Sequence, residues 1–147
     1  MKLSRLRIQN FRSFQDETIE LDDYSCFVGP NGSGKSTILN ALNILFRNTQ
    51  AASNVVTLDE EDFHRRDVSL PIVITVTFSD LSKDAEEDLK DYVRQGQLVL
   101  SAKAEWNPDL RTAEVKQVGS RRVIKDFALY FRAEKEGSKA ADLKKIF

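Results

Sequence analysis

Between positions 29 and 37 the chain reads Gly29-Pro30-Asn31-Gly32-Ser33-Gly34-Lys35-Ser36-Thr37. Glycine reaches backbone angles closed to other residues, so a glycine-rich turn can bring consecutive main-chain N–H groups to converge on an anion. Lys35 adds an ammonium, and Ser36 and Thr37 add hydroxyls. The spacing matches the phosphate-binding pattern G-x-x-x-x-G-K-[ST] in full. In that arrangement Lys35 reaches the β- and γ-phosphates, Ser36 offers its hydroxyl to a bridging magnesium ion, and Thr37 backs the loop against an α-phosphate. The expected cofactor-binding residues are therefore Asn31, Gly32, Ser33, Gly34, Lys35, Ser36 and Thr37, with Ser36 the metal ligand.

Such a loop works only when a strand leads into it and a helix leads out, because the helix end contributes partial positive charge. Ser25-Cys26-Phe27-Val28 reads as a short apolar strand. Ile38, Leu42 and Leu45 fall at helical spacing, with Leu39 and Phe46 beside them, which predicts a helix from about Lys35 to Arg47-Asn48.

The chain has 147 residues, the length of one domain or part of one, and 41% hydrophobic content suffices for a packed core. A formal net charge of −1 gives no global attraction to nucleic acid or to an anionic membrane. No long apolar stretch or signal-peptide pattern occurs, so a cytoplasmic protein without a membrane partner is expected. The single cysteine, Cys26, is expected as an inert core residue of the strand before the loop.

Elsewhere, Lys2 to Gln9 and Glu17 to Leu21 alternate as an antiparallel pair around the corner Asn10-Phe11-Arg12-Ser13-Phe14, with Phe11 and Phe14 in the core. Thr49 to Val56 reads as loop, and Asp59 to Asp67 as a charged loop whose side chains pair locally. Asp62 and His64 are metal-ligand types, but two candidates without a third do not make a site. Ile72 to Phe78 is a strand followed by Asp80. The magnesium-holding strand of a phosphate-loop ATPase is central and apolar on both faces, whereas Ile74, Val76 and Phe78 alternate with Thr75, Thr77 and Ser79, so Asp80 is not that carboxylate. Ser82 caps a surface helix that Gly96 would stop, and its acids form a solvated face. Leu98 to Trp106 and Thr112 to Val118 alternate around an Asn107-Pro108-Asp109 turn, giving three antiparallel strands over roughly 70–120. Arg121, Arg122 and Lys125 form a small solvated basic cluster. Val123 to Phe131 reads as core or interface, and Ser138 to Ile146 as a short helix.

The run Leu6-Arg7-Ile8-Gln9-Asn10-Phe11-Arg12-Ser13-Phe14, followed by a strand and the glycine loop, resembles the start of an ABC-type ATPase head of the RecF/SMC group and the OLD (overcoming lysogenization defect) ATP-dependent nucleases. Asp62-Phe63-His64-Arg65-Arg66-Asp67 strengthens the resemblance to OLD. The resemblance implies an α/β P-loop NTPase fold, here the N-terminal ATP-binding lobe over 1–147 with an antiparallel β-subdomain. It implies ATP and Mg2+ as cofactors, and Arg12 near the nucleotide phosphates, with Asn10 a weaker candidate. It further implies a homodimer through nucleotide-sandwiched heads in the intact protein, and DNA contact only through regions outside this chain.

The family's L-S-G-G-type signature, Asp-Glu strand end, switch histidine and C-terminal nuclease domain are all absent before Phe147. No catalytic residue is therefore assigned, and the chain is expected to be incomplete and inactive alone. Two alternatives stand beside an ATP-binding lobe of a DNA-metabolism or defence ATPase, itself a possible endonuclease. One is a small phosphoryl-transfer kinase, opposed by the antiparallel pair before the loop. The other is a truncated remnant serving as a non-catalytic nucleotide-binding module. A GTPase is disfavoured because no N-K-x-D motif appears.

Overall fold

The computed structural model describes residues 1–46 and 57–119. The readings made for 47–56, including the expected helix end at Arg47-Asn48, and for 121–146 lie outside the described residues. Strand β1 (Lys2–Phe11) and β2 (Phe14–Glu20) form an antiparallel hairpin in which Leu6 faces Ile19 and Phe11 faces Phe14. Helix α1 spans Lys35–Phe46. After β3 (Thr57–Leu58) come two 3-10 turns at Glu60–Asp62 and His64–Arg66. Then follow β4 (Ile72–Ser79), α2 (Lys83–Asp88), β5 (Val93–Arg94), β6 (Gln97–Asn107) and β7 (Thr112–Gly119).

The described strands form one antiparallel sheet in the order β2-β1-β4-β6-β7-β3, with β5 folded onto β6. The hairpin and the three later strands are thus continuous, because β1 pairs with β4 from Lys2 opposite Ser79 to Gln9 opposite Val73. The period-2 pattern puts Leu6 and Ile8, Ile72, Ile74 and Val76, Leu98, Ala102 and Ala104, and Ala113 on the buried side. Helix α1 lies against β4 and β6. It buries Ile38, Ala41 and Leu45 in the same core. Small residues at Ala41, Ala102 and Ala104 leave room for the helix backbone to come close. Each larger side chain buried there contributes roughly 1.5–3 kcal/mol before entropy is counted. Gln117 lies on the same side of the sheet and donates its side-chain amide to the Leu45 carbonyl at the helix C-terminus.

The opposite face is polar, as a one-sided antiparallel sheet allows. Arg7 makes a two-bond contact to Asp16 at 2.7 and 2.8 Å, Arg5 pairs with Glu20, and the Thr75 and Ser101 hydroxyls meet at 2.8 Å.

Residues 25–28 do not form the expected strand. A strand needs a neighbour to take its N–H and C=O groups, and among the described residues no strand pairs with this segment. Cys26 is accordingly exposed rather than an inert core residue, and Val28 is 90% exposed. Helix α2 is also shorter than its acidic and apolar pattern suggests. Ser82 does cap it, accepting from the Ala85 N–H, but the helix stops at Asp88. Val93 and Arg94 then leave the helix pattern to pair with Leu98 and Gln97 around a Gln95–Gly96 turn. Sheet pairing there outcompetes local helix propensity.

Candidate functional site

The glycine turn folds back on itself, with the Ser33 N–H donating to the Pro30 carbonyl at 3.3 Å. Gly32 and Gly34 adopt φ of +85° and +92°, angles at which side chains are strained. Helix α1 starts directly at Lys35, and its first ladder bond runs from the Ile38 N–H to the Gly34 carbonyl at 3.0 Å. The N–H groups of Gly34, Lys35, Ser36 and Thr37 find no carbonyl acceptor among the described residues. They are the orphan donors of a helix start, aligned with the positive end of the helix dipole.

The Lys35 ammonium turns back over this curl. It donates to the carbonyl oxygens of Gly29 and Pro30, each at 2.7 Å, and to the Ser33 hydroxyl at 3.3 Å. One cation is thereby held within the same turn as the orphan donors. Asn31, Gly32, Ser33 and Ser36 are exposed, Lys35 is half-buried, and Gly34 and Thr37 are buried. An anion of phosphate type fits these N–H groups, which converge with the Lys35 ammonium in one turn.

The loop is fixed from beneath by the β1–β2 corner. A Cβ on Gly34 would lie 2.7 Å from Phe14 Cζ and 3.1 Å from the Ser13 hydroxyl. The hydroxyls of Ser13 and Thr37 stand 3.5 Å apart. Thr37, predicted to back the loop, therefore faces the corner through its side chain.

Arg12 occupies the tip of that corner at φ +50°. Its Nε donates to Asp62 Oδ1 at 2.8 Å, its backbone N–H donates to the Asp62 carbonyl at 2.8 Å, and its carbonyl meets His64 Nδ1 at 2.9 Å. The guanidinium also sits 5.1 Å from the centroid of the Phe11 ring. Phe11 and Phe63 form a backbone bridge, and Phe63 packs edge-on to Trp106 at 5.7 Å. Asn10, the weaker candidate, is buried. Its side-chain amide donates to the carbonyls of Asp67 and Leu70 at 2.9 and 2.7 Å, so it ties two segments together.

Sequence reading treated 59–67 as a loop whose charges pair locally. Local pairs do exist, in the Asp59–Asp62 capping box and in Arg66 with Glu61. The long-range bond from Asp62 to Arg12 was missed, since 50 residues separate them. The signal available was a carboxylate beside a buried phenylalanine, which is a weak one. Asp62 and His64 do come together, but both are turned onto Arg12. A cleft of about 590 Å³ opens beside this cluster, lined by Arg12, Asn40, Asn43, Thr57 and Asp62 among others. Asp80 follows the antiparallel strand β4, exposed and at φ +50°. Among the described residues, no helix is long and apolar enough to cross a membrane.

The family model described as "AAA ATPase domain" matches residues 1–147. Endonuclease GajA of Bacillus cereus (strain VD045) is 31% identical over 112 residues, covering 75% of this chain and 18% of that protein. An OLD nuclease of Thermus scotoductus is 36% identical over 76 residues, 52% of this chain and 14% of its own length. The DNA replication and repair protein RecF of Proteus mirabilis is 44% identical over 69 residues, 43% of this chain and 19% of its own. The chain thus aligns with less than one fifth of each of these relatives.

Proposed function

The chain belongs to the AAA ATPase domain family, in the OLD/RecF/SMC class of ABC-type ATPase heads, and from that membership we propose that residues 29–37 bind the phosphates of ATP. The observation that carries the reading is the joint presence, in one turn, of unpaired helix-start N–H groups and the Lys35 ammonium. The backbone of Asn31 to Lys35 wraps the polyphosphate, Lys35 supplies its counter-charge, and Thr37 supports the loop against Ser13. Ser36 would hold a magnesium ion with its exposed hydroxyl, and such an ion would supply charge neutralisation to the bound phosphates. Arg12 adds a second cation from the corner beside the loop.

In the intact protein the lobe pairs with a second head, so that nucleotide lies between the two, and the assembly acts in the cytoplasm on DNA, as an ATPase or an ATP-dependent endonuclease. Support for this comes from relatives whose names are nuclease and DNA-repair names.

The test is calorimetric titration of the purified chain with Mg-ATP, beside Lys35→Ala and with GTP as competitor. Saturable binding that Lys35→Ala removes and that GTP displaces poorly is the expected result. Binding that survives Lys35→Ala unchanged would overturn the assignment.

A further inference from the structure

Asp62 is bonded through both carboxylate oxygens and its backbone carbonyl. Its Oδ1 accepts from Arg12 Nε and its Oδ2 accepts from the Asp59 N–H at 3.2 Å. Its carbonyl accepts from the Arg12 N–H. Its side chain is only 14% exposed, against 43% for Arg12. The carboxylate is therefore held by the Asp59 N–H as well as by the guanidinium.

The manner of the pairing matters. Arg12 uses only Nε toward Asp62, and its two terminal amino groups have no partner among the described residues. A guanidinium so held on one edge, and resting on the Phe11 ring, keeps its orientation while its outer donors remain available. The backbone is held in the same way. Non-glycine residues with positive φ occur at Asn10, Arg12, Arg65 and Arg66, on both sides of this contact. Such strain persists only where surrounding bonds over-determine it, and here Asp62, His64 and the Asn10 amide do so. The next residue, Ser13, already touches the phosphate loop at Thr37.

We propose that Asp62 is a positioning residue for Arg12, fixing the guanidinium through Nε so that its terminal amino groups can bind a phosphate held by residues 29–37. This rests on the reading of that loop as an ATP site. Asp62 does not touch nucleotide; it sets how Arg12 does. The 59–67 segment thereby becomes part of the site, although its acids would repel phosphate on their own.

The experiment is a double-mutant cycle on the full chain, reading Kd for Mg-ATP by calorimetry. Arg12→Ala is expected to weaken binding about tenfold, as loss of a charge-assisted contact does. Asp62→Ala should weaken it by a similar factor in the wild-type background, and by less than about twofold once Arg12 is alanine. Asp62→Asn keeps the shape and an acceptor oxygen, so an intermediate loss of about threefold is expected, and it carries the same comparison if Asp62→Ala does not fold. A merely structural role would lower affinity equally in both backgrounds, and that result overturns the proposal. So does wild-type affinity in both Asp62 variants. Lys35→Ala separates the two readings. If it weakens binding while Arg12→Ala and Asp62→Ala do not, the positioning role fails and the ATP site stands. If it has no effect, the ATP site itself fails.

Discussion

Phe14 and Gly34 are packed so closely that a single methyl group on the glycine would come within 2.7 Å of the phenyl ring. The ring belongs to the turn between the first two strands and the glycine to the phosphate loop, so this contact seats the loop on the sheet. Gly34→Ala meets two obstacles, the ring and its own φ of +92°. Destabilisation of roughly 1–3 kcal/mol is expected. Adding Phe14→Ala should not restore stability, because the backbone strain remains and a partly buried ring is lost. Urea melts of the single and double variants check this, and full recovery in the double variant would locate the whole cost in the ring.

Lys35→Ala should separate binding from stability. The ammonium donates to two loop carbonyls, but Gly29 and Pro30 are exposed, so water can replace it. The melting temperature should hardly change. Loss of the main counter-charge should cost about 1.5–3 kcal/mol of Mg-ATP binding. Calorimetry together with a thermal melt measures both.

Side-chain periodicity revealed the sheet well. The alternation in Ile72 to Phe78 and Leu98 to Trp106 is enforced by a helix on one face and water on the other, and both strands formed as read. The segment 25–28 misled because apolar residues signal a strand only if something pairs with them. Its expected burial, including that of Cys26, depended on a neighbour that the described residues do not supply. The loop was legible because glycine, lysine and hydroxyl residues sit at fixed spacing in one short stretch. The clamp on Arg12 was not, because its halves come from opposite ends of a 50-residue interval and neither has a pattern of its own.

Stability should fall at both extremes of pH. Arg7 holds the Asp16 carboxyl below its ordinary 3.8 by direct hydrogen bonding, Ser69 does so for Asp67, and Lys103 holds Glu105 below 4.5. A depressed carboxylate stabilises above its unfolded pKa, and that contribution disappears as pH falls through the folded value. Lys2 is raised above 10.5, chiefly by Asp23, so its contribution is present below that value and disappears as pH rises through the folded one. These pairs are solvent-exposed, so the effects are small and screened by salt. A melting temperature that is level from about pH 5 to 10 and declines outside it is expected. Asp16→Asn should flatten the acid limb. A melting temperature that rises between pH 5 and 3 would contradict this account.

The end of helix α1 depends on Gln117, from a strand 72 residues further on. The last carbonyls of a helix lack ladder partners, and here one of them, on Leu45, receives the glutamine amide. Leu45 itself is buried, so water reaches this carbonyl poorly. Gln117→Ala should therefore cost about 0.5–1.5 kcal/mol, the usual net worth of such a bond. Gln117→Leu keeps the bulk without the donor and should be no better, since leucine offers the carbonyl no hydrogen bond. The Lys35 end of the same helix lies far from this bond, so Mg-ATP affinity should stay within about twofold of wild type if the helix keeps its position, as separated sites ordinarily do. Chemical denaturation and calorimetry on the two variants decide it. A large loss of affinity with little loss of stability would mean that the C-terminal bond sets the position of the phosphate loop through the helix.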